Sequence, residues 1–96
     1  ALALERDLRS KGHRVERDVA AMVYFRGQPL ARQRIDMIVD ETVIVEIKAG
    51  AESHLDGQPQ LFSYLAATTV EVGLLLHFGR KPQYRRFIYE NRFKRF

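Results

Sequence analysis

An apolar run interrupted by charged residues constrains the fold of this chain more than any other feature. The segment Val43-Ile44-Val45-Glu46-Ile47-Lys48 has the β-branched density of a strand that is buried on both faces. Glu46 and Lys48 are two residues apart, so in a strand their side chains project to the same face. Because an unpaired charge in the interior costs several kcal/mol, the pattern predicts a site at which these charges are compensated.

Composition limits the architecture and the chemistry. The 96 residues are 46% hydrophobic and 29% charged, which fits a single small domain. The absence of cysteine excludes disulfides, thiolate zinc sites and a thiol nucleophile. No apolar run approaches the roughly 20 residues that cross a bilayer, and no signal peptide precedes the first residues. We therefore expect a soluble cytoplasmic protein without a membrane association.

Positive charge is concentrated near the C-terminal end. The segment from Gly79 to Phe96 has seven basic residues and one acidic residue, a charge of +6, whereas residues 1–78 carry −2. Aromatic residues alternate with these cations, a combination that can neutralise phosphates and stack bases. This pattern predicts nucleic-acid contacts by Arg80, Lys81, Arg85 and Arg86. An exposed edge strand followed by a solvated tail explains the same pattern equally well.

Hydrophobic periodicity predicts an alternation of helices and strands. The predicted order is a helix ended by Gly12, a three-stranded meander, a loop, a second helix and two strands. The first helix covers residues 1–11, the second helix begins at Pro59, and the loop between meander and helix covers 49–58. The predicted strands are 14–25, 30–39, 42–48, 72–78 and 85–89. The chain is thus expected to form an α/β fold with a mixed central sheet flanked by helices.

Side-chain periodicity places the polar candidates close together. In the second strand, period-two alternation puts Asp36 and Ile38 on one face, opposite the face of Ile35, Met37 and Val39. Asp36 and Glu46 then lie on neighbouring strands. In the second helix, Gln60 and Tyr64 are four residues apart and share one face. Among the histidines, His77 is expected to be a satisfied core residue and His13 an exposed turn residue, while His54 lies in the loop after Lys48.

Two carboxylates on adjacent strands can share Mg²⁺, which favours oxygen ligands at about 2.1 Å and keeps exchangeable waters. Lys48 is then placed to orient or activate a water that attacks a phosphodiester, a reaction that needs no covalent nucleophile. The alternative interpretation is a buried ion-pair network of Asp36, Glu46 and Lys48. For Gln60 and Tyr64, the alternative is helix packing with a buried amide that is satisfied by backbone groups.

These residues resemble the motifs of the PD-(D/E)XK nuclease superfamily. Asp36 corresponds to the first carboxylate, Glu46-Ile47-Lys48 to the (D/E)XK tripeptide, and Gln60 with Tyr64 to the Q-x-x-x-Y motif of the RecB-like branch. Within the superfamily the chain looks most similar to the GxxExxY family. That similarity covers nearly the whole chain, in the stretches Arg34-Ile35-Asp36, Val45-Glu46-Ile47-Lys48, Gln60-Leu61-Phe62-Ser63-Tyr64-Leu65 and Val72-Gly73-Leu74-Leu75-Leu76-His77-Phe78-Gly79.

The resemblance implies a restriction-endonuclease-like core of order αβββαβ and a Mg²⁺- or Mn²⁺-dependent nuclease acting on DNA. It implies metal ligation by Asp36, Glu46 and the backbone carbonyl of Ile47, with Lys48, Gln60 and Tyr64 completing the catalytic set. The Gly, Glu and Tyr for which the GxxExxY family is named are absent from this chain. We therefore expect a domain truncated at its N-terminus, with Glu5 as a candidate substitute for the acidic residue of the first helix.

Three functions follow from these observations. The first is a Mg²⁺-dependent deoxyribonuclease. The second is a catalytically impaired module with the same fold that binds nucleic acid or a protein partner. The third is an assembly domain that forms a homodimer through the edge from Phe78 to Phe96. Metal-dependent DNA cleavage that requires Lys48 distinguishes the first from the other two.

Overall fold

The computed structural model describes residues 2–49 and 58–94 of the chain. The elements are α1 (Leu2–Ser10), β1 (Val15–Phe25), β2 (Gln28–Val39), β3 (Val43–Ala49), α2 (Gln58–Ala67), β4 (Val72–Phe78), β5 (Gln83–Ile88) and a 3₁₀ turn (Asn91–Phe93). The predicted α/β element order is confirmed. Much of the predicted loop, including His54, lies outside the described residues.

The five strands form one mixed sheet in the order β1-β2-β3-β4-β5. Three of the neighbouring pairs are antiparallel, and β3 pairs with β4 in parallel from Val43–Val72 to Ala49–Phe78. A parallel pair needs a crossover connection, and α2 lies in the segment between these two strands. Within the part of the chain that is described, no helix is long and apolar enough to cross a membrane.

The sheet separates two apolar clusters, because successive residues of β3 point to opposite faces. On one side α2 packs on the sheet, and on the other side Leu4 and Leu8 of α1 pack on a smaller cluster. The α2-side cluster contains Ala21, Ile35, Ile38, Ile44, Leu61, Tyr64, Leu65, Val70 and Leu75. The α1-side cluster contains Val15, Met37, Val39 and Val45. Glu46 has the parity of Ile44, so it lies on the α2 side.

The predicted facing of Ile35 is wrong. Ile35 packs in the α2-side cluster with Ile38, whereas Met37 packs in the α1-side cluster. The reason is a break in the alternation of the β1–β2 hairpin. Asp18 has φ +53 and lies between the pairs Arg17–Met37 and Val19–Ile35. A residue in the left-handed region turns the strand locally, so the hairpin changes sides of the sheet at this point.

The turn between β2 and β3 holds these strands in register. Asp40 and Glu41 have φ of +53 and +58, the backbone of a type I′ turn, in which the Thr42 main-chain N–H donates to Val39 O at 3.0 Å. The Asp40 carboxylate accepts a hydrogen bond from the Arg14 main-chain N–H at 2.8 Å and contacts His13 Nδ1 at 2.6 Å. The Arg14 hydrogen bond and the His13 contact lower the pKa of Asp40. His13 is exposed, as predicted, and it is engaged by Asp40.

A glycine allows α2 to approach the sheet closely. A Cβ atom added at Gly73 of β4 would come within 2.8 Å of Leu61 Cδ1 on α2. Leu61 is fully buried, so it has little freedom to yield. The close contact fixes the height of α2 over β3 and β4, and thereby the position of the neighbouring Gln60.

The C-terminal segment is more ordered than the predicted solvated tail. Lys94 is buried, and its Nζ donates to the carbonyl oxygens of Thr68 at 3.0 Å and Val70 at 2.6 Å, just after the end of α2. Burial lowers the pKa of Lys94. The main-chain N–H of Tyr89 donates to Glu71 O at 2.8 Å. Lys94 is therefore a cap for the α2 carbonyl end rather than a free cation for nucleic acid.

Candidate functional site

The predicted site residues come from three elements that meet on the α2 side of the sheet. Asp36 lies on β2, Glu46 and Lys48 lie on β3, and Gln60 and Tyr64 lie on α2. The chain brings them together because the β2–β3 turn makes the two strands neighbours and because α2 crosses over them.

Asp36 is held by the backbone of the neighbouring strand. The main-chain N–H of Ile47 donates to Asp36 Oδ2 at 2.9 Å. Regular pairing of β2 with β3 runs from Val39–Val43 to Met37–Val45, so this side-chain hydrogen bond continues the connection beyond the ladder. The bond orients the carboxylate and satisfies a backbone donor.

Glu46 is buried with one oxygen unsatisfied. It is 3% exposed, and its Oε2 has no hydrogen-bond partner among residues 2–49 and 58–94. Burial raises the pKa of Glu46 to about 8, and the charge of Asp36 and a hydrogen bond with its carboxyl group add to the rise, while Lys48 opposes it. Two carboxylates are thus held together where one cannot ionise freely at neutral pH.

Lys48 and Gln60 connect the strand to the helix. Lys48 Nζ donates to Gln60 Oε1 at 3.5 Å, the long limit of a hydrogen bond. Both side chains are partly buried. An ammonium group has three donors, and within the described residues Lys48 uses one of them in this long contact, which leaves capacity for a ligand.

Tyr64 is engaged by the strand that carries Asp36. It is fully buried, and its hydroxyl donates to the carbonyl oxygen of Arg34 at 2.8 Å. Burial, followed by the charges of Glu46 and Asp36, raises the pKa of Tyr64 to about 12. The phenol therefore stays protonated at neutral pH, and its hydrogen bond anchors α2 to β2.

The donor set fits a hard divalent cation. Asp36 and Glu46 supply carboxylate oxygens, and Glu46 Oε2 is a buried acceptor without a partner, which a cation would satisfy. No group of three or more acidic, histidine or cysteine side chains with metal-binding spacing occurs among the described residues. Glu5 does not supply a third carboxylate, because it pairs with Arg9 and Arg17 at 3.3 Å on the α1 side.

The predicted nucleic-acid-binding residues are exposed but do not share one face. In β5, Arg85 pairs with Leu75 of the α2-side cluster, whereas Arg86 pairs with Leu74 on the α1 side. Arg85 therefore lies on the same face as Glu46, and Arg86 on the opposite face. Arg80 and Lys81 lie in the β4–β5 connection. β5 is an edge strand, as one of the two interpretations of the basic segment predicted.

His77 differs from the expected satisfied core histidine. It is 8% exposed, and its Nε2 is buried with no hydrogen-bond partner in the part of the chain that the structure describes. His77 pairs with Lys48 across the parallel β3–β4 ladder. The apolar surroundings of His77 in the sequence indicated burial, but only the register between the two strands reveals its neighbour.

The fold and the site define a restriction-endonuclease-like α/β protein with a carboxylate–lysine cluster on one side of the sheet. The sequence profile of the PD-(D/E)XK nuclease superfamily matches residues 1–87, and the chain belongs to this superfamily. No curated protein matches the chain in sequence.

A solved structure supports the same fold. "Crystal structure of SSO0001" superposes on 93% of this chain with a TM-score of 0.66 and 22% sequence identity. The match covers 48% of that protein, so the chain spans about half its length. At this level of identity the likeness describes the architecture alone.

Proposed function

We propose that the chain is a nuclease domain that hydrolyses phosphodiester bonds of DNA with Mg²⁺ or Mn²⁺. The observation that carries the proposal is the unpartnered, buried Glu46 Oε2 beside Asp36, with a raised pKa for Glu46. Two crowded carboxylates without a cation are destabilising. A site that binds a divalent cation gives this arrangement a function.

In this proposal, Asp36, Glu46 and the backbone carbonyl of Ile47 hold the cation. When bound, it would supply charge stabilisation at the phosphoryl oxygens and lower the pKa of a water. The Ile47 N–H keeps the Asp36 carboxylate in one orientation. That restraint reduces the reorganisation needed for binding.

Lys48 orients the attacking water and donates to a phosphate oxygen. Water oxygen bonds to phosphorus and loses a proton to the solvent, the bond to the leaving sugar oxygen breaks, and that oxygen takes up a proton from the solvent, so that the net reaction is addition of one water across the P–O bond. Gln60 holds the Lys48 ammonium group through its Oε1, and Tyr64 keeps α2 against β2. The protonated Tyr64 phenol acts as a hydrogen-bond donor rather than as a nucleophile, because its pKa is about 12.

The experiment that tests the proposal is a titration of Mg²⁺ and Mn²⁺ into the wild type and Glu46→Gln. Heat of binding and cleavage of labelled single- and double-stranded DNA are followed together. Metal binding and cleavage that are both lost in Glu46→Gln, with cleavage also lost in Lys48→Ala, support the nuclease. Absence of metal binding by the wild type makes the carboxylates structural and overturns the proposal.

A second candidate is a module of the same fold that binds nucleic acid or a protein partner without cleavage. It is favoured by the absence of a third carboxylate near Asp36 and Glu46 within the described parts of the chain. Salt-sensitive DNA binding without turnover at any Mg²⁺ or Mn²⁺ concentration supports this candidate.

A third candidate, a homodimer through the β5 edge, draws on the exposure of its apolar side chains. Phe78, Tyr84, Ile88 and Phe93 are all exposed. Two adjacent arginines, Arg85 and Arg86, oppose self-pairing of this strand by like-charge repulsion. Sedimentation equilibrium with and without salt distinguishes a dimer from a monomer.

A further inference from the structure

The site contains a second buried polar atom without a partner. His77 Nε2 is shielded from solvent and makes no hydrogen bond with any residue that the structure describes. A buried nitrogen without a hydrogen-bond partner destabilises the folded state. An apolar residue at this position of β4 would avoid this destabilisation. The presence of histidine therefore indicates a role for its imidazole other than packing.

Strand register places His77 beside the proposed catalytic lysine. In the parallel β3–β4 ladder, Lys48 pairs with His77 and Glu46 pairs with Leu75. Paired residues of adjacent strands project to the same face, with strands about 4.8 Å apart. His77 therefore lies on the same face as Glu46 and Lys48, one strand further towards β5.

The two unsatisfied atoms of β3 and β4 are thus grouped around one lysine. Glu46 Oε2 and His77 Nε2 are both buried polar atoms without a hydrogen-bond partner in the described parts of the chain. Lys48 pairs with His77 in the ladder and, among the residues that the structure describes, donates a hydrogen bond to Gln60 Oε1 alone. A ligand that contains both a bound cation and anionic oxygens would satisfy all three groups, and a phosphodiester is such a ligand.

We infer that His77 is a substrate-contacting residue, whose Nε2–H donates to a phosphate oxygen of the DNA strand bound beside Lys48. This inference rests on the proposed function. Because Nε2 is buried in the free protein, the contact requires neighbouring side chains to move when DNA binds, and catalytic hydrogen bonds are often completed only in the complex. Arg85 of β5 pairs with Leu75 of β4, the strand that carries His77. Arg85 therefore lies on the same face as His77, and the bound DNA leaves the site towards β5.

The test compares His77→Leu with His77→Gln, whose side-chain amide keeps an N–H donor. Single-turnover cleavage of a labelled oligonucleotide is measured in Mg²⁺, and its affinity is measured by anisotropy in Ca²⁺. The melting temperature is recorded for each variant. His13→Leu is the matched control, because it removes an exposed histidine that contacts Asp40 in the β2–β3 turn.

The inference predicts that His77→Leu loses at least about tenfold in cleavage rate and binds the oligonucleotide more weakly. His77→Gln recovers part of both. The melting temperature of His77→Leu does not fall, because an unpaired buried nitrogen has been removed. His13→Leu cleaves and binds like the wild type.

Three other outcomes are separable. Wild-type cleavage and affinity in His77→Leu overturn the inference and leave the proposed function intact. A lower melting temperature in both His77 variants, with cleavage lost in proportion to unfolding, makes His77 structural and also overturns it. If the wild type does not cleave DNA at all, the proposed function fails, and weaker oligonucleotide binding by His77→Leu than by His13→Leu still supports the contact.

Discussion

The main-chain N–H of Ile47 donates to Asp36 Oδ2 at 2.9 Å, so the first carboxylate of the site is held by the strand that carries the second. The bond lies just beyond the last regular pair of β2 and β3, Met37–Val45. A carboxylate fixed in this way is directed beside Glu46 despite the repulsion between them. The same contact therefore has a structural and a functional consequence.

Replacement of Asp36 separates these two consequences. Asp36→Asn keeps an oxygen that accepts from the Ile47 N–H, whereas Asp36→Ala leaves this donor without a partner. Both variants relieve the repulsion with Glu46, so their difference isolates the hydrogen bond. We expect Asp36→Asn to be more stable than Asp36→Ala by about 1 kcal/mol in urea unfolding, and both to lose metal binding. Equal stability of the two variants contradicts a role for this bond.

Glu46→Gln should change the pH dependence of stability in metal-free buffer. Below pH 4.5 the carboxyl is protonated in both states; above it the unfolded chain ionises, while the folded protein keeps the proton until about pH 8. The folded state then binds more protons, so wild-type stability falls as pH rises through this range. Glutamine cannot ionise, so the stability of Glu46→Gln should not decrease over this pH range.

The measurement is the difference in melting temperature between Glu46→Gln and wild type from pH 5 to pH 9 with a chelator. The difference should increase up to about pH 8 and then stay constant. The surface variant Glu16→Gln is the control, since Glu16 is exposed on β1. A difference in melting temperature that does not depend on pH contradicts a raised pKa of Glu46 in the folded protein.

Substitutions of Tyr64 and Gln60 on α2 should have different effects: the first should lower stability, and the second should lower activity. Tyr64→Phe removes the hydrogen bond to the Arg34 carbonyl at 2.8 Å and should destabilise the protein by about 1 kcal/mol. Gln60→Ala removes only the long contact with Lys48, so it should change stability by less than about 0.5 kcal/mol and lower DNA cleavage. Urea unfolding and single-turnover cleavage check this pair. A Gln60→Ala enzyme with full activity removes Gln60 from the site.

Two adjacent arginines of β5 provide a matched test of the DNA path. Arg85→Ala and Arg86→Ala remove the same charge, but only Arg85 lies on the face of Glu46. We expect Arg85→Ala to weaken DNA binding more and to reduce the slope of log affinity against log salt by about 1. Arg86→Ala should resemble the wild type. Equal effects of the two variants indicate a general electrostatic contribution instead of a defined path.

Much of the fold could be predicted from short stretches of sequence, because the residues that begin and end each helix or strand lie within or beside it. The β-branched run at Val43–Lys48 predicts a buried strand, Gly12 predicts the end of α1, and Pro59 predicts the first turn of α2. The relative direction of Glu46 and Lys48 follows from the strand period alone. These features depend on backbone preference and side-chain periodicity, which neighbouring residues determine.

Other features depend on contacts between distant segments. The facing of Ile35 was mispredicted because Asp18, on another strand, interrupts the alternation of the hairpin. In the sequence Lys94 is one of several cations in a basic segment. Only the tertiary structure shows that its ammonium group donates to the Val70 carbonyl after the end of α2.

The sequence by itself determined the element order, the position of Asp36 on one strand and of Glu46 and Lys48 on the next, and the motifs that relate the chain to its superfamily. The tertiary structure alone decided that Arg85 and Arg86 lie on opposite faces and that His77 lies beside Lys48. The physical reason is that strand register and helix docking are set by packing over the whole sheet. No local stretch of sequence contains that information.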